Sequence, residues 1–295
     1  MRRGAAWDLV GPRWARLTAV EGKDEVFAGD LFAREGWATL AGELGEEAAY
    51  AFAERVALMW IRPDAFASGA ARRLVEAAGG AGFRVLAARP VRVDRCAVRA
   101  LGAYMCRWAT VERLWLLDAL AALGPGLLVL WADEGDTQAG LSAPVRMTEV
   151  RGVNAPDRRI AGCLREVAGS PNRVLTMVHS ADEPADVVRE LGILCSPGER
   201  RALVAEAAHR LADREPGRWE DALRVVEEAL PAMPVPQLPG DTRAAGPVRE
   251  PDGLLRGSVT KRWSAVWEAS HRWPLLAPES GPVSWPEQAS RSPWR

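Results

Sequence analysis

The chain predicts an α/β fold: a four-stranded antiparallel sheet covered by helices, of the ferredoxin-like sandwich kind. Three observations predict it. Short apolar runs of strand length alternate with amphipathic helical patterns. Glycine and proline punctuate the junctions between them. Four strand patterns with helices on one face match a ferredoxin-like sandwich. With 48% of its 295 residues hydrophobic and 26% charged, the chain has enough apolar material for a folded core.

Residues 1–53 read as an N-terminal extension, rich in aromatics (Trp7, Trp14, Phe27, Phe32, Trp37) and without a motif. Residues 56–61 are apolar throughout, the pattern of a buried strand. Pro63-Asp64 closes that strand. A helix follows over 70–78 with Leu74 and Val75 inward, until Gly79-Gly80-Ala81-Gly82 breaks it. Residues 83–93 read as the second strand and 95–122 as two helices. Gly124-Pro125-Gly126 is a turn before a third strand at 127–131. A polar, broken connection with short helical turns spans 137–168. Residues 174–178 read as the fourth strand. Residues 184–194 read as an amphipathic helix with Asp182 as its N-cap and Pro184 in the first turn.

Beyond the domain at 54–198, residues 199–230 read as a helical extension with Leu203, Ala207 and Leu211, then Leu223, Val226 and Leu230, on its apolar faces. From 231 to 295 the chain is rich in proline and tryptophan. Pro231, Pro234, Pro236 and Pro239 mark a linker. Trp263, Trp267, Trp273, Trp285 and Trp294 follow it. Trp263 and Trp267 are four apart, which predicts a short helix with an aromatic stripe. That stripe packs back on the domain, packs on a neighbouring subunit, or binds a partner.

The net charge of −1 offers no argument for a nucleic-acid partner or an anionic membrane. Lysine occurs only at positions 23 and 261, so arginine carries nearly all the positive charge. The four cysteines are widely spaced, with no Cys-x-x-Cys pair and no histidine at metal-ligand spacing. Reduced structural thiols and no protein metal site are expected. The first residues lack an apolar signal core and no run reaches membrane-spanning length, so a cytoplasmic protein is expected. A Walker loop, a Gly-x-Gly-x-x-Gly turn and a Gly-x-Ser-x-Gly elbow are all absent.

His179, one of three histidines, stands out by context. It ends an apolar run just before a helix start, and Glu190 lies eleven positions later on that helix. A strand-to-turn junction is a place where a rigid scaffold presents a nucleophile. A histidine packed under a loop fits the same pattern.

Further motifs stand around it in a definite order. Trp60-Ile61-Arg62-Pro63-Asp64 precedes a helix and then Ala81-Gly82-Phe83. Tyr104 lies in the next helical segment. Gly152-Val153-Asn154-Ala155-Pro156 and Gly162-Cys163-Leu164-Arg165 follow. His179-Ser180-Ala181-Asp182 and Glu190 complete the set. In this order, over roughly residues 54–196, the chain resembles the nucleoside diphosphate kinase family. The resemblance implies a four-stranded sandwich of that family's type. It implies ping-pong phosphoryl transfer: a nucleoside triphosphate donates its γ-phosphoryl to His179, and a nucleoside diphosphate collects it. Glu190 would orient the imidazole. Arg62 and Arg165 would clamp phosphate, Tyr104 would hydrogen-bond near the phosphates, and Asn154 and Thr176 would stand at further nucleotide-binding positions. Mg²⁺ would enter bound through the nucleotide phosphates, with few protein ligands. Nucleoside di- and triphosphates are the implied partners, and a homo-oligomer the implied assembly.

The chain departs from the family in places. Arg62 stands for a lysine, Thr148 for an arginine, Asn154 for a threonine and Thr176 for an asparagine. Arg146 and Arg151 are near Thr148 but out of register. Ser180 and Ala181 shift the serine after the histidine, and the segment between Tyr104 and Gly152 is longer. Two other readings therefore stand beside the kinase: a catalytically weak nucleotide-binding or regulatory protein, and a specialised-metabolism transferase using the same pocket. Arg62 can also serve structurally by pairing with Asp64, and Tyr104 as a core residue.

Overall fold

The computed structural model describes residues 11–104, 109–135, 140–241 and 248–272. Trp7, Trp273, Trp285 and Trp294 lie outside the described residues.

The N-terminal segment is helical: α1 (Lys23–Gly29), α2 (Leu31–Leu44) and α3 (Glu46–Arg55). Then come β1 (Val56–Ile61), α4 (Pro63–Ala67), α5 (Ala71–Gly80) and β2 (Phe83–Val91). Next are α6 (Arg95–Leu101), α7 (Val111–Ala121), β3 (Gly126–Asp133), α8 (Ala143–Arg151) and α9 (Leu164–Val167). The last strand, β4 (Val178–Ser180), leads into α10 (Pro184–Leu194) and α11 (Pro197–Asp213). The chain continues through α12 (Glu220–Ala229), α13 (Pro251–Leu255) and α14 (Val259–His271).

The sheet order is β2-β3-β1-β4, and each adjacent pair is antiparallel. β1 and β2 therefore run in the same direction with β3 between them, a split β-α-β. The fold is the α/β sandwich that the alternation of patterns predicts.

Three expectations are corrected. Helices cover both faces of the sheet, not one. On one face Ala57, Met59 and Ile61 of β1 pack with α5, α7, α12 and α14. On the other, Val56, Leu58 and Trp60 pack with α2, α3, α10 and α11. The continuous apolar run of β1, buried at every position, is what burial on two faces requires.

The fourth strand does not run over 174–178; it begins at Val178 and holds three residues. Met177 has φ of 63°, left-handed for a residue with a side chain. The Val178 amide donates to the Thr176 carbonyl at 2.7 Å, a γ-turn that stops pairing upstream. His179 is thus the middle residue of β4 rather than the end of a strand.

The N-cap of α10 is Glu183, not Asp182, because Glu183 and Asp186 form a reciprocal capping box. That frees the Asp182 carboxylate for other partners.

Trp263 and Trp267 lie on α14, buried and 5.5 Å apart between ring centroids, edge to face. This part of the tail packs back onto the domain. Asn172 ties it to the loop before β4: its side-chain amide donates to Ser270 Oγ at 3.2 Å.

Candidate active site

Edge strand β4 places His179 opposite Trp60 of β1. The register puts both side chains on the α10 face of the sheet, so the imidazole meets that helix. Its Nε2 lies 2.8 Å from Glu190 Oε1, with the imidazole 31% exposed and the carboxylate 8%. A carboxylate accepts hydrogen bonds, so Nε2 carries the hydrogen, and in the neutral ring Nδ1 keeps its lone pair. The second carboxylate oxygen, Oε2, is buried and has no partner among the described residues.

A group of arginines surrounds the residues that follow His179 in the chain. Arg151, the last residue of α8, donates to Ser180 O at 2.7 Å, Ser180 Oγ at 2.9 Å and Asp182 Oδ1 at 2.7 Å. Thr148 Oγ1 donates to the same Asp182 oxygen at 3.2 Å. Burial opposes ionisation of Asp182. The charge and hydrogen bond of Arg151, with Lys23 and His179 in electrostatic reach, nevertheless hold its pKa down at about 2.

Arg165 sits on α9, 5% exposed, and donates to the Gly152 carbonyl. Gly152 has φ of 80°, and an added Cβ would run into the Cys163 side chain, so only glycine fits there. Burial, then the like charge of Arg151, push the Arg165 guanidinium well below its usual range, and Asp182 opposes that shift. Arg159 and Arg62 add to it. Arg159 itself is tied to Val153 O, Asn154 O and Ser170. Arg151 Nε, Arg165 Nε and Asn154 Oδ1 are buried without a partner among the described residues. Unpartnered guanidinium N–H groups in a crowded positive field are what an anion would satisfy.

The other expected residues are placed differently. Arg62 is buried and spends its guanidinium inside the fold. It donates to Asp64 Oδ1 at 3.1 Å, Thr176 Oγ1 at 2.6 Å and Val174 O at 3.2 Å. Asp64 Oδ2 in turn accepts from the Met177 amide at 3.1 Å, which anchors the γ-turn. Arg62 and Thr176 thus meet each other and brace the approach to β4. Tyr104 donates to Asp30 Oδ2 at 2.9 Å and stacks near Phe27, so it belongs to the contact with the N-terminal helices. Burial and its bond to Asp30 push its pKa up to about 12.

The sequence does not point to Lys23, Asp30 or Arg159, and it sets Arg151 out of register. For Arg151 a signal exists: positions 148 and 151 are three apart on one helix and share a face. For the others no local signal exists, because their partners lie far along the chain.

Among the described residues, no group of three or more His, Cys, Asp or Glu side chains could hold a metal ion. No helix among them is long and apolar enough to cross a membrane.

No protein-family model matches the chain. No curated protein matches it in sequence. Solved structures match about half of it in structure. A nucleoside diphosphate kinase family protein from Babesia bovis is 17% identical, with 49% of this chain and 90% of that one covered and a TM-score of 0.39. A nucleoside-diphosphate kinase from Borrelia burgdorferi, a transition-state mimic with vanadate and ADP bound, is 16% identical; 49% of this chain and 89% of that one are covered, with a TM-score of 0.39. An NDP kinase from Pyrobaculum aerophilum is 15% identical, with 49% and 97% covered and a TM-score of 0.38.

Proposed function

We propose that the protein is a phosphotransferase in which His179 accepts a phosphoryl group from a nucleoside triphosphate and passes it on. The observation that carries this reading is the 2.8 Å contact between His179 Nε2 and Glu190 Oε1. It leaves Nδ1 as the nucleophile. Nδ1 attacks the γ-phosphorus, the bond to the bridging oxygen breaks, and the nucleoside diphosphate leaves. Glu190 balances the positive charge that grows on the ring. The acceptor, a nucleoside diphosphate if the family resemblance holds for the substrate, then takes the phosphoryl from Nδ1 and restores the histidine.

The unpartnered Nε–H groups of Arg151 and Arg165 suit phosphoryl oxygens, and transfer of this kind relies on such neutralisation. Asn154 Oδ1 adds an acceptor for a hydroxyl. The same donor set suits Mg²⁺ only indirectly: Asp182, the carboxylate among these arginines, is bonded to Arg151. The ion would arrive on the phosphates, where it supplies charge neutralisation of the transferring group.

A second reading is favoured by Arg62. Its bonds to Asp64, Thr176 and Val174 make it a structural brace rather than a phosphate clamp. With that clamp absorbed into the fold, the site binds nucleotide phosphate in a regulatory role and transfers the phosphoryl group poorly.

Intact-protein mass spectrometry after incubation with ATP and Mg²⁺, under conditions that spare phosphohistidine, separates the two. A phosphoryl adduct on the wild type and none on His179→Ala is the expected result. Nucleotide binding with no adduct on either chain rejects transfer and leaves the regulatory reading.

A further inference from the structure

Among the described residues Glu190 makes one side-chain hydrogen bond, the one to His179. Nothing else among the described residues anchors its carboxylate, so its place depends on where α10 sits. The N-terminal segment holds α10 at three successive points.

At the start of α10, Lys23 is buried between two carboxylates, with Nζ 2.9 Å from Glu183 Oε2 and 2.5 Å from Asp186 Oδ2. Thr18 Oγ1 donates to Glu183 Oε2 at 2.6 Å, and the Ala19 amide to Glu183 Oε1 at 2.9 Å. The Ala185 amide donates to Leu17 O at 2.9 Å. Next to Glu190, Arg189 Nε donates to Asp30 Oδ2 at 2.8 Å. On either side of it, α2 crosses α10 at backbone contact. An added Cβ on Gly36 would strike the Val188 carbonyl, and one on Gly192 the Phe32 carbonyl. The segment 17–36 therefore grips the N-cap Glu183 and residues 185, 186, 188, 189 and 192 of a helix whose residue 190 meets the histidine.

We infer that Lys23 and Asp30 are positioning residues, which hold α10 and with it the Glu190 carboxylate against His179. This rests on the proposed role of His179 and Glu190, and it makes the N-terminal segment part of the site's machinery. Buried charge pairs suit this role because their geometry is stiff and losing one partner leaves the other charge uncompensated. A displacement of about 1 Å at a reacting group costs on the order of a hundredfold in rate.

The test uses the full-length chain with ¹⁵N-labelled histidine. Long-range ¹H–¹⁵N spectra report the tautomer of His179, whose signals are identified by their loss in His179→Gln. Asp30→Asn is isosteric and still accepts from the Ala33 amide, which Asp30 Oδ1 caps at 2.9 Å. It removes the charge that Arg189 holds. Lys23→Met is the companion variant; Asp30→Asn decides alone if Lys23→Met does not fold. The wild type is expected to show His179 as the Nε2–H tautomer. Both variants are expected to melt above assay temperature, to show mixed tautomers, and to take up phosphoryl roughly tenfold or more slowly. Folded variants with the wild-type tautomer overturn the inference, as does a wild type with no fixed tautomer. A fixed tautomer in the wild type, lost in the variants, with no phosphoryl uptake by any chain, upholds the positioning and rejects the phosphotransfer.

Discussion

Arg151 Nη2 lies 2.7 Å from Asp182 Oδ1 and joins the end of α8 to the loop before α10. Thr148, one helical turn earlier, touches the same oxygen. The guanidinium comes from three residues further along the helix than the motif pattern places it. Helix periodicity makes the two positions neighbours on one face. The pair decides the electrostatics of the candidate site, since Asp182 is also within reach of His179 and Lys23.

Arg151→Met is expected to leave Asp182 and Ser180 without their main partner. Breaking a largely buried pair on one side costs on the order of 3 kcal/mol. The urea midpoint should fall accordingly, and the slope of the transition should not change. Thr148→Met, where the hydroxyl bond is longer, should cost less.

Burial depresses Arg165 most, and the like charge of Arg151 next; an anion should relieve both. Phosphate or vanadate is therefore expected to raise the melting temperature. At a hundred times its Kd the stabilisation is about 2.7 kcal/mol. Arg165→Gln should lose most of the shift. A melting temperature that does not respond to phosphate in the wild type counts against an anion site.

Alkaline stability should follow Tyr104. Burial and the bond to Asp30 raise its folded pKa to about 12, above the unfolded value of about 10. The stabilisation is fully present below pH ~10 and is lost as pH rises through about 12. Denaturation at stepped alkaline pH should show this loss, and Tyr104→Phe should show less of it. Absorbance of tyrosinate should show a late titration that Tyr104→Phe removes.

Asn172 links the C-terminal helix to the loop before β4. Its Oδ1 accepts from the amides of Val174 and Leu175, each at 2.9 Å. Asn172→Ala strands the amides of Val174 and Leu175, a loss of roughly 3 kcal/mol, while Ser270 keeps its bond to the Trp267 carbonyl. Asn172→Asp keeps both acceptor bonds and should retain more stability by urea denaturation.

The sandwich is legible in the sequence because its signals are local. Val56–Ile61 reads as a buried strand from its own composition, and α10 begins at Pro184 as the helix pattern predicts. The His179–Glu190 spacing is visible for the same reason. The fourth strand is not legible, because nothing in its composition announces a left-handed Met177; Asp64, 113 positions away, accepts from its amide and holds it. Arg62 illustrates a different limit. Its charge is evident, but its bond to Thr176 across 114 positions decides that it braces the loop.

By itself the sequence determined the alternation of elements and the fold class, since periodicity acts over a few residues; it marked His179 and Glu190 as candidates by their context and by resemblance to a family. Tertiary structure alone decided which charges meet. It gave Arg151 to Asp182, Asp30 to Arg189 and Lys23 to the start of α10. It also covered the second face of the sheet with the N-terminal helices. Buried ion pairs form between whatever side chains packing brings within a few ångströms, and sequence distance does not enter that condition.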